Sequence, residues 1–122
     1  MVEVICDTNF LINLATKQIK NMDSIEQDLG TLVFLVPNVV LNELEKLRNI
    51  SKKKSDIEQT LEFIQKFKKI PINGTYADKE ILHYIKSKKT FVGTMDKDLK
   101  KNIKFLGSNI ISFHNNYIIL EN

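Results

Sequence analysis

The sequence predicts an α/β domain in which helices pack on both faces of a central, mostly parallel sheet. Three observations carry that reading. Short, nearly unbroken apolar runs recur at 2–6, 32–36, 90–93 and 110–113, and runs of that kind suit strands covered on both sides. Between them the apolar residues change to a spacing of three and four, as in Phe10, Leu11, Leu14 and Ala15, which lines one side of a helix. The alternation continues through 122 residues without a repeat or linker, a length for one domain with a single core.

The run 2–6 is apolar except for Glu3 and gives way to Asp7, Thr8 and Asn9, so an acidic residue ends a strand just before the first helix. A second helix is expected over 22–29 and stops at Gly30, a residue suited to a helix C-cap. The run 32–36 is the next strand. Pro37 ends it, and Asn38 caps a helix containing Val39, Val40, Leu44 and Leu47. Lys52, Lys53 and Lys54 break the apolar period and mark an exposed connection. Ser55 is the expected cap of the following helix, with Glu58 at capping-box spacing and Ile57, Leu61, Ile64 and Phe67 on its inner face. Ile70, Pro71 and Ile72 suggest a short edge strand, Asn73 and Gly74 a turn, and the stretch to Lys86 a helix with Ile81, Leu82 and Ile85 inward. The strand 90–93 stands immediately before Thr94, Met95 and Asp96. Leu99, Ile103, Phe105 and Leu106 mark another short helix closed by Gly107. The run 110–113 reads as a strand, and the pattern leaves 117–120 undecided.

Bulk composition narrows the classes of function. No apolar run approaches the roughly 18 residues of a membrane span, and the first residues lack the order of a secretion signal, so a cytoplasmic protein with no membrane partner is expected. The single cysteine, Cys6, lies inside a strand run and reads as a small buried residue. A formal net charge of +3 permits a nucleic-acid partner without requiring one. Arg48 is the only arginine, and the lysines that supply the remaining positive charge attract phosphates without reading bases. Gly30, Gly74, Gly93 and Gly107 form neither a Walker loop nor a dinucleotide fingerprint, which argues against a nucleotide-binding enzyme. His83 and His114 are isolated and offer no zinc set.

Acidic residues stand where packing alone favours other side chains. Glu43 lies three after Val40 and four before Leu47, and Asp78 lies three before Ile81 and four before Leu82, so both border the buried face of a helix. Each has a plain structural alternative: Glu43 can pair with Lys46, and Asp78 can stabilise the first turn of its helix through the dipole. Asp7 can simply end its strand, and Asp96 can cap the helix that carries Leu99. Asp7, Glu43 and Asp96 nevertheless all sit near strand-to-helix transitions. In an open parallel sheet these line the crevice at the carboxyl ends of the strands, and Asp78 can join them from a first helical turn. Converging carboxylates repel one another unless a cation lies among them. Oxygen ligands suit Mg²⁺ or Mn²⁺, and such an ion beside a phosphodiester activates a water and stabilises charge on phosphoryl oxygens, whether one ion binds or two. Thr8, Asn9 and Thr94 are candidates to orient the ligands or their waters, each with a turn or cap as its alternative role. Asp98 faces the same cleft as Asp96 only if residues 96–98 form a tight turn; in a regular helix the two point apart.

Four segments resemble, in order, the motifs of the PIN-domain nucleases. "VICDTNFLI" is similar to that family's first strand and metal-binding aspartate, here Asp7. "VPNVVLNELEKL" resembles the second acidic motif, with Glu43, and "YADKEIL" the third, with Asp78. "FVGTMDKDLKKNIK" resembles the last, with Thr94, Asp96 and Asp98. The match spans almost the whole chain and implies a single domain over 1–122 with a three-layer α/β/α fold. It further implies a metal-dependent endoribonuclease using Mg²⁺ or Mn²⁺. Asp7, Glu43, Asp78 and Asp96 would be both catalytic and metal-binding, Asp98 a further ligand, and Thr94 part of the catalytic set. The form "VVLNELEKL" followed by "TMDKDLKK" looks most similar to archaeal stand-alone PIN proteins related to ribosomal RNA processing nucleases, while toxins of toxin–antitoxin pairs share the core. Many processing-type relatives carry two aspartates in the third motif; here Lys79 takes the second place. A homodimer, a protein regulator or a ribosome-assembly partner is compatible with the resemblance.

Lys97, Lys100, Lys101 and Lys104 follow the last acidic motif at helical spacing and make a candidate RNA-binding flank, with Lys52 to Lys54 a second basic group. The seven Phe and three Tyr are mostly spaced as core residues, which leaves Tyr76 as the best exposed aromatic. The main alternative is an inactive PIN-like domain that binds RNA or assembles without cutting. A phosphoacceptor signalling domain is disfavoured because Asp7 lacks an acidic neighbour.

Overall fold

The strand β1 (Val2–Cys6) takes the centre of the sheet, where Val4, Ile5 and Cys6 are buried at three successive positions. A strand buried on both faces must be paired on both edges, because neither its side chains nor its backbone groups can turn to water. Ile5 accordingly sits in register with Leu35 of β2 (Leu32–Pro37) on one side and Val92 of β4 (Phe91–Gly93) on the other. With β3 (Lys68–Ile70), β5 (Asn109–His114) and β6 (Tyr117–Glu121), the order across the sheet is β3-β2-β1-β4-β5-β6. All pairings are parallel except that of β5 with β6. The helices α1 (Thr8–Thr16), α2 (Met22–Leu29), α3 (Asn38–Ile50), α4 (Lys54–Phe63), α5 (Ala77–Ser87) and α6 (Lys97–Phe105) make the outer layers of an α/β/α arrangement. This computed structural model describes residues 1–50 and 52–121.

Most elements fall where the sequence predicts them, and the differences have local causes. The helix expected to be capped by Ser55 begins two residues earlier, with Lys53 at its cap position and no side-chain cap bond. Glu58 reaches Lys54 at 4.0 Å instead of closing a capping box. The edge strand ends before Pro71, which has no N–H to donate. The undecided 117–120 region is β6. Asn115 and Asn116, at φ 50° and 68°, form the left-handed pair that a two-residue hairpin requires. The free edge of β6 is met by the Asn21 side chain, which donates to the Ile118 carbonyl at 2.8 Å and accepts from the Ile118 N–H at 2.8 Å. Phe105 ends α6 and is 89% exposed, two residues past the buried Ile103 and so on another face of the helix. Among the described residues no helix is long and apolar enough to cross a membrane.

The core brings the site into register. Phe10, fully buried, packs its ring against Phe34 and Phe113 at centroid distances of 6.1 and 5.3 Å. It can lie there only because position 93 carries no side chain: a Cβ on Gly93 would stand 2.7 Å from the Phe10 ring. The same glycine accepts the Asp7 N–H through its carbonyl at 3.0 Å, joining the end of β1 to the end of β4.

Candidate metal centre and nucleic-acid cleft

After β1 the chain builds β2 and β3 on one side, then returns to place β4 on the other. The ends of β1 and β4 therefore flank the point where strand order reverses, the place where open α/β sheets leave a crevice. Asp7 leaves β1 there and Asp96 follows β4. Each carboxylate caps the helix it precedes: Asp7 Oδ1 accepts the Phe10 N–H at 2.9 Å, and Asp96 Oδ1 accepts the Leu99 N–H at 2.8 Å. Capping is thus not an alternative to a functional role, since it fixes the rotamer and presents the rest of the carboxylate to the crevice.

Asp7, Asp96, Glu43 from α3 and Asp78 from the first turn of α5 line one cleft, with Thr8, Asn9 and Tyr76 at its walls. Its volume of about 280 Å³ has room for several waters. Among the described residues none of these four carboxylates is ion-paired. Arg48 pairs with Glu45 at 2.8 Å, which leaves Glu43 to the cleft. Burial raises the Asp7 pKa to about 6; hydrogen bonds from Thr94 and Phe10 pull it down in part, and the charges of Asp78 and Asp96 push it up. Asp78 is raised too, by burial first and then by Asp96 and Glu43. The electrostatics are those of a site short of positive charge.

Thr94 is fully buried behind the cleft. Its N–H donates to the Ile111 carbonyl at 3.0 Å, its hydroxyl donates to Asp7 Oδ2, and its oxygen accepts the Asp96 N–H at 3.1 Å. One hydroxyl therefore sets the distance between the two aspartates. Thr94 meets both aspartates while lying buried behind the cleft. Asp98 lies outside the cleft and is exposed. Because α6 is regular from Lys97, residues 96 and 98 point apart. Of the basic flank, Lys97, Lys101 and Lys104 are exposed, whereas Lys100 is held by Glu121 at 2.7 Å. Gly93 escaped notice in the sequence; its signal was a glycine closing an apolar run just before Thr94.

The donor set fits a hard cation. Every polar side chain of the cleft offers oxygen, apart from the amide nitrogen of Asn9, and the Thr8 hydroxyl is buried there without a hydrogen-bond partner among the described residues. Among those residues no group of three Asp, Glu, His or Cys side chains is already gathered around one point as a metal cage. Mg²⁺ needs no such cage, since it keeps several waters and takes one or two carboxylates directly. The orphaned Thr8 hydroxyl is placed for such a water.

A family described as "PIN like domain" matches residues 4–116. Among solved structures, the PIN domain endonuclease Utp24 shares 31% identity at a TM-score of 0.78, over 98% of this chain and 90% of that one. A domain of a functionally unknown protein from Methanocaldococcus jannaschii DSM 2661 shares the fold, at 16% identity and a TM-score of 0.56, over 93% of this chain and 92% of that one. No curated protein sequence matches the chain. The motif order, the carboxylates at the sheet reversal and the family match over nearly the whole length agree: this chain belongs to the PIN-like domain family.

Proposed function

We propose that the protein is a metal-dependent endoribonuclease that hydrolyses RNA phosphodiester bonds in the cleft between β1 and β4. The observation that carries this reading is the convergence of Asp7, Glu43, Asp78 and Asp96 on one cleft with no protein cation among the described residues to balance them. Likeness to the endonuclease Utp24 supports the reaction class. The motif resemblance to ribosomal RNA processing nucleases makes precursor ribosomal RNA the first substrate to test.

When bound, Mg²⁺ or Mn²⁺ supplies a water of lowered pKa and neutralises charge developing on the phosphoryl oxygens. Asp7 and Asp96 would hold the ion from adjacent strand ends, with Glu43 and Asp78 reaching it directly or through water. Thr94 keeps Asp7 oriented and, by donating to its carboxylate, favours the ionised form. Thr8 orients a water in the cleft, while Lys97, Lys101 and Lys104 draw the phosphate backbone toward it.

The test is cleavage of labelled single-stranded and structured RNAs with Mg²⁺ or Mn²⁺ by wild type and Asp96→Asn. Asparagine caps a helix as well as aspartate, so the variant removes a charge without unfolding α6. Cleavage that needs the ion and is lost in Asp96→Asn is the expected result. RNA binding without cleavage by either protein would replace the nuclease reading with that of a binding module.

A further inference from the structure

Position 79 separates two hollows. Asp78 faces the carboxylate cleft, whereas Lys79 lines a groove between α5 and α6 together with Leu82, His83, Lys86, Phe105 and Leu106. Lys79, His83 and Lys86 follow at intervals of four and three, so they form one stripe along α5. Across from them Phe105, at 89% exposed, leaves a face of its ring open to solvent. Leu82 and Leu106 are half-buried against the core and give the groove an apolar floor. The acidic wall residue, Glu80, lies back over Gly74, so close that a Cβ there would stand 2.5 Å from its carboxyl group. The groove thus combines positive side chains on one wall, an open aromatic ring on the other and an apolar floor, and it shares the first turn of α5 with the cleft.

We propose that this groove is a subsite for a single-stranded segment of the RNA, with a base stacked on Phe105 and flanking phosphates met by Lys79 and Lys86. Two arguments select RNA as the occupant. The basic stripe complements a polyanion, and the groove begins at Lys79, the residue next to Asp78 of the cleft in which the scissile phosphate would lie. A flat aromatic ring accepts the face of any base, so the subsite favours unpaired over paired RNA without reading sequence. Lys79, which stands where many processing-type relatives have an aspartate, then acts on the substrate and not on the metal. The inference rests on the proposed ribonuclease function.

The test is fluorescence anisotropy of a short labelled oligouridine and of a matched RNA duplex, in EDTA to prevent cleavage. It compares wild type, Phe105→Ala, Phe105→Trp and the Lys79→Ala/Lys86→Ala double variant. Because all of these side chains are exposed, the variants should melt with wild type. Phe105→Ala is expected to weaken oligouridine binding about tenfold or more, on the order of one lost base stack, with Phe105→Trp retaining it and the duplex little affected. The double variant should bind more weakly and with a shallower salt dependence. Wild-type affinity in both Phe105→Ala and the double variant overturns the groove subsite and leaves the nuclease reading standing, whereas no binding and no cleavage by wild type overturns both. A dimer of wild type in sedimentation that becomes monomer in Phe105→Ala, with RNA affinity unchanged, assigns the groove to a second copy and overturns the proposal.

Discussion

Replacing Asp7 by asparagine should stabilise the metal-free protein at neutral pH. Asp7 is 6% exposed, and its pKa rises from 3.8 to about 6 on folding. A tenfold change in proton affinity is about 1.4 kcal/mol, so that rise corresponds to about 3 kcal/mol of stability present when Asp7 is protonated and absent when it is ionised. The sign follows from linkage: a carboxyl that holds its proton more tightly in the folded state favours folding below its unfolded pKa and loses that contribution as pH rises through its folded pKa. Asparagine keeps the acceptor for the Phe10 N–H and carries no charge, while its NH₂ replaces the oxygen that accepts from Thr94 and so offsets part of the gain. Urea unfolding in EDTA should therefore show the variant more stable by up to about 3 kcal/mol at pH 7, with the two curves converging near pH 4. Adding Mn²⁺ at pH 7 should then raise the wild-type midpoint and leave that of Asp7→Asn nearly unmoved, because binding to the folded state alone is what stabilises. Parallel stability curves across this pH range, or a variant weaker than wild type at pH 7, would refute the claim that Asp7 is held as an uncompensated buried charge.

Thr94→Val keeps the branched shape but loses the hydroxyl shared by Asp7 and Asp96; cleavage should fall about 10- to 100-fold, as for other groups that orient metal ligands. Asp7 should also hold its proton to higher pH, moving the acid limb of the pH–rate profile upward, and Thr94→Ser should restore both. Gly93→Ala forces a methyl group to within 2.7 Å of the Phe10 ring and should cost about 1–3 kcal/mol in urea unfolding. Asp98→Asn should leave stability within about 0.5 kcal/mol and cleavage unchanged in the same assays, in contrast to Asp96→Asn. Asn21→Ala removes two hydrogen bonds to β6 and should cost about 1–3 kcal/mol, read from the urea midpoint.

Local chemistry made much of this fold legible. The apolar run of β1, broken only by Glu3, the stop of α2 at Gly30 and the capping aspartate before α6 are each decided within a few residues, whereas the cap of α1 is Asp7 and not Asn9. β3 was harder because Lys68 and Lys69 carry no apolar signal, and only pairing with β2 makes them a strand. β6 depended on the left-handed conformation of Asn115 and Asn116, a turn signal that an apolar pattern does not weigh. At the site, the places of Asp7, Glu43, Asp78 and Asp96 in the alternation were enough to suggest that they meet. The bond from Thr94 to Asp7 spans 87 residues, and that of Lys100 to Glu121 joins a helix to the last strand. Contacts of this range come from tertiary packing and leave no mark on a local pattern.

The Asn21 amide on β6 has a consequence for association. A sheet ends in two rows of backbone groups that another chain can take up as a further strand. Here one end is only three residues long and stops at a proline, and the other has the N–H and carbonyl of Ile118, its second residue, already bound by a side chain of the same molecule. Copies meeting edge to edge find no continuous ladder to extend. Side chains of the helices and loops are then the surfaces best placed to meet a partner.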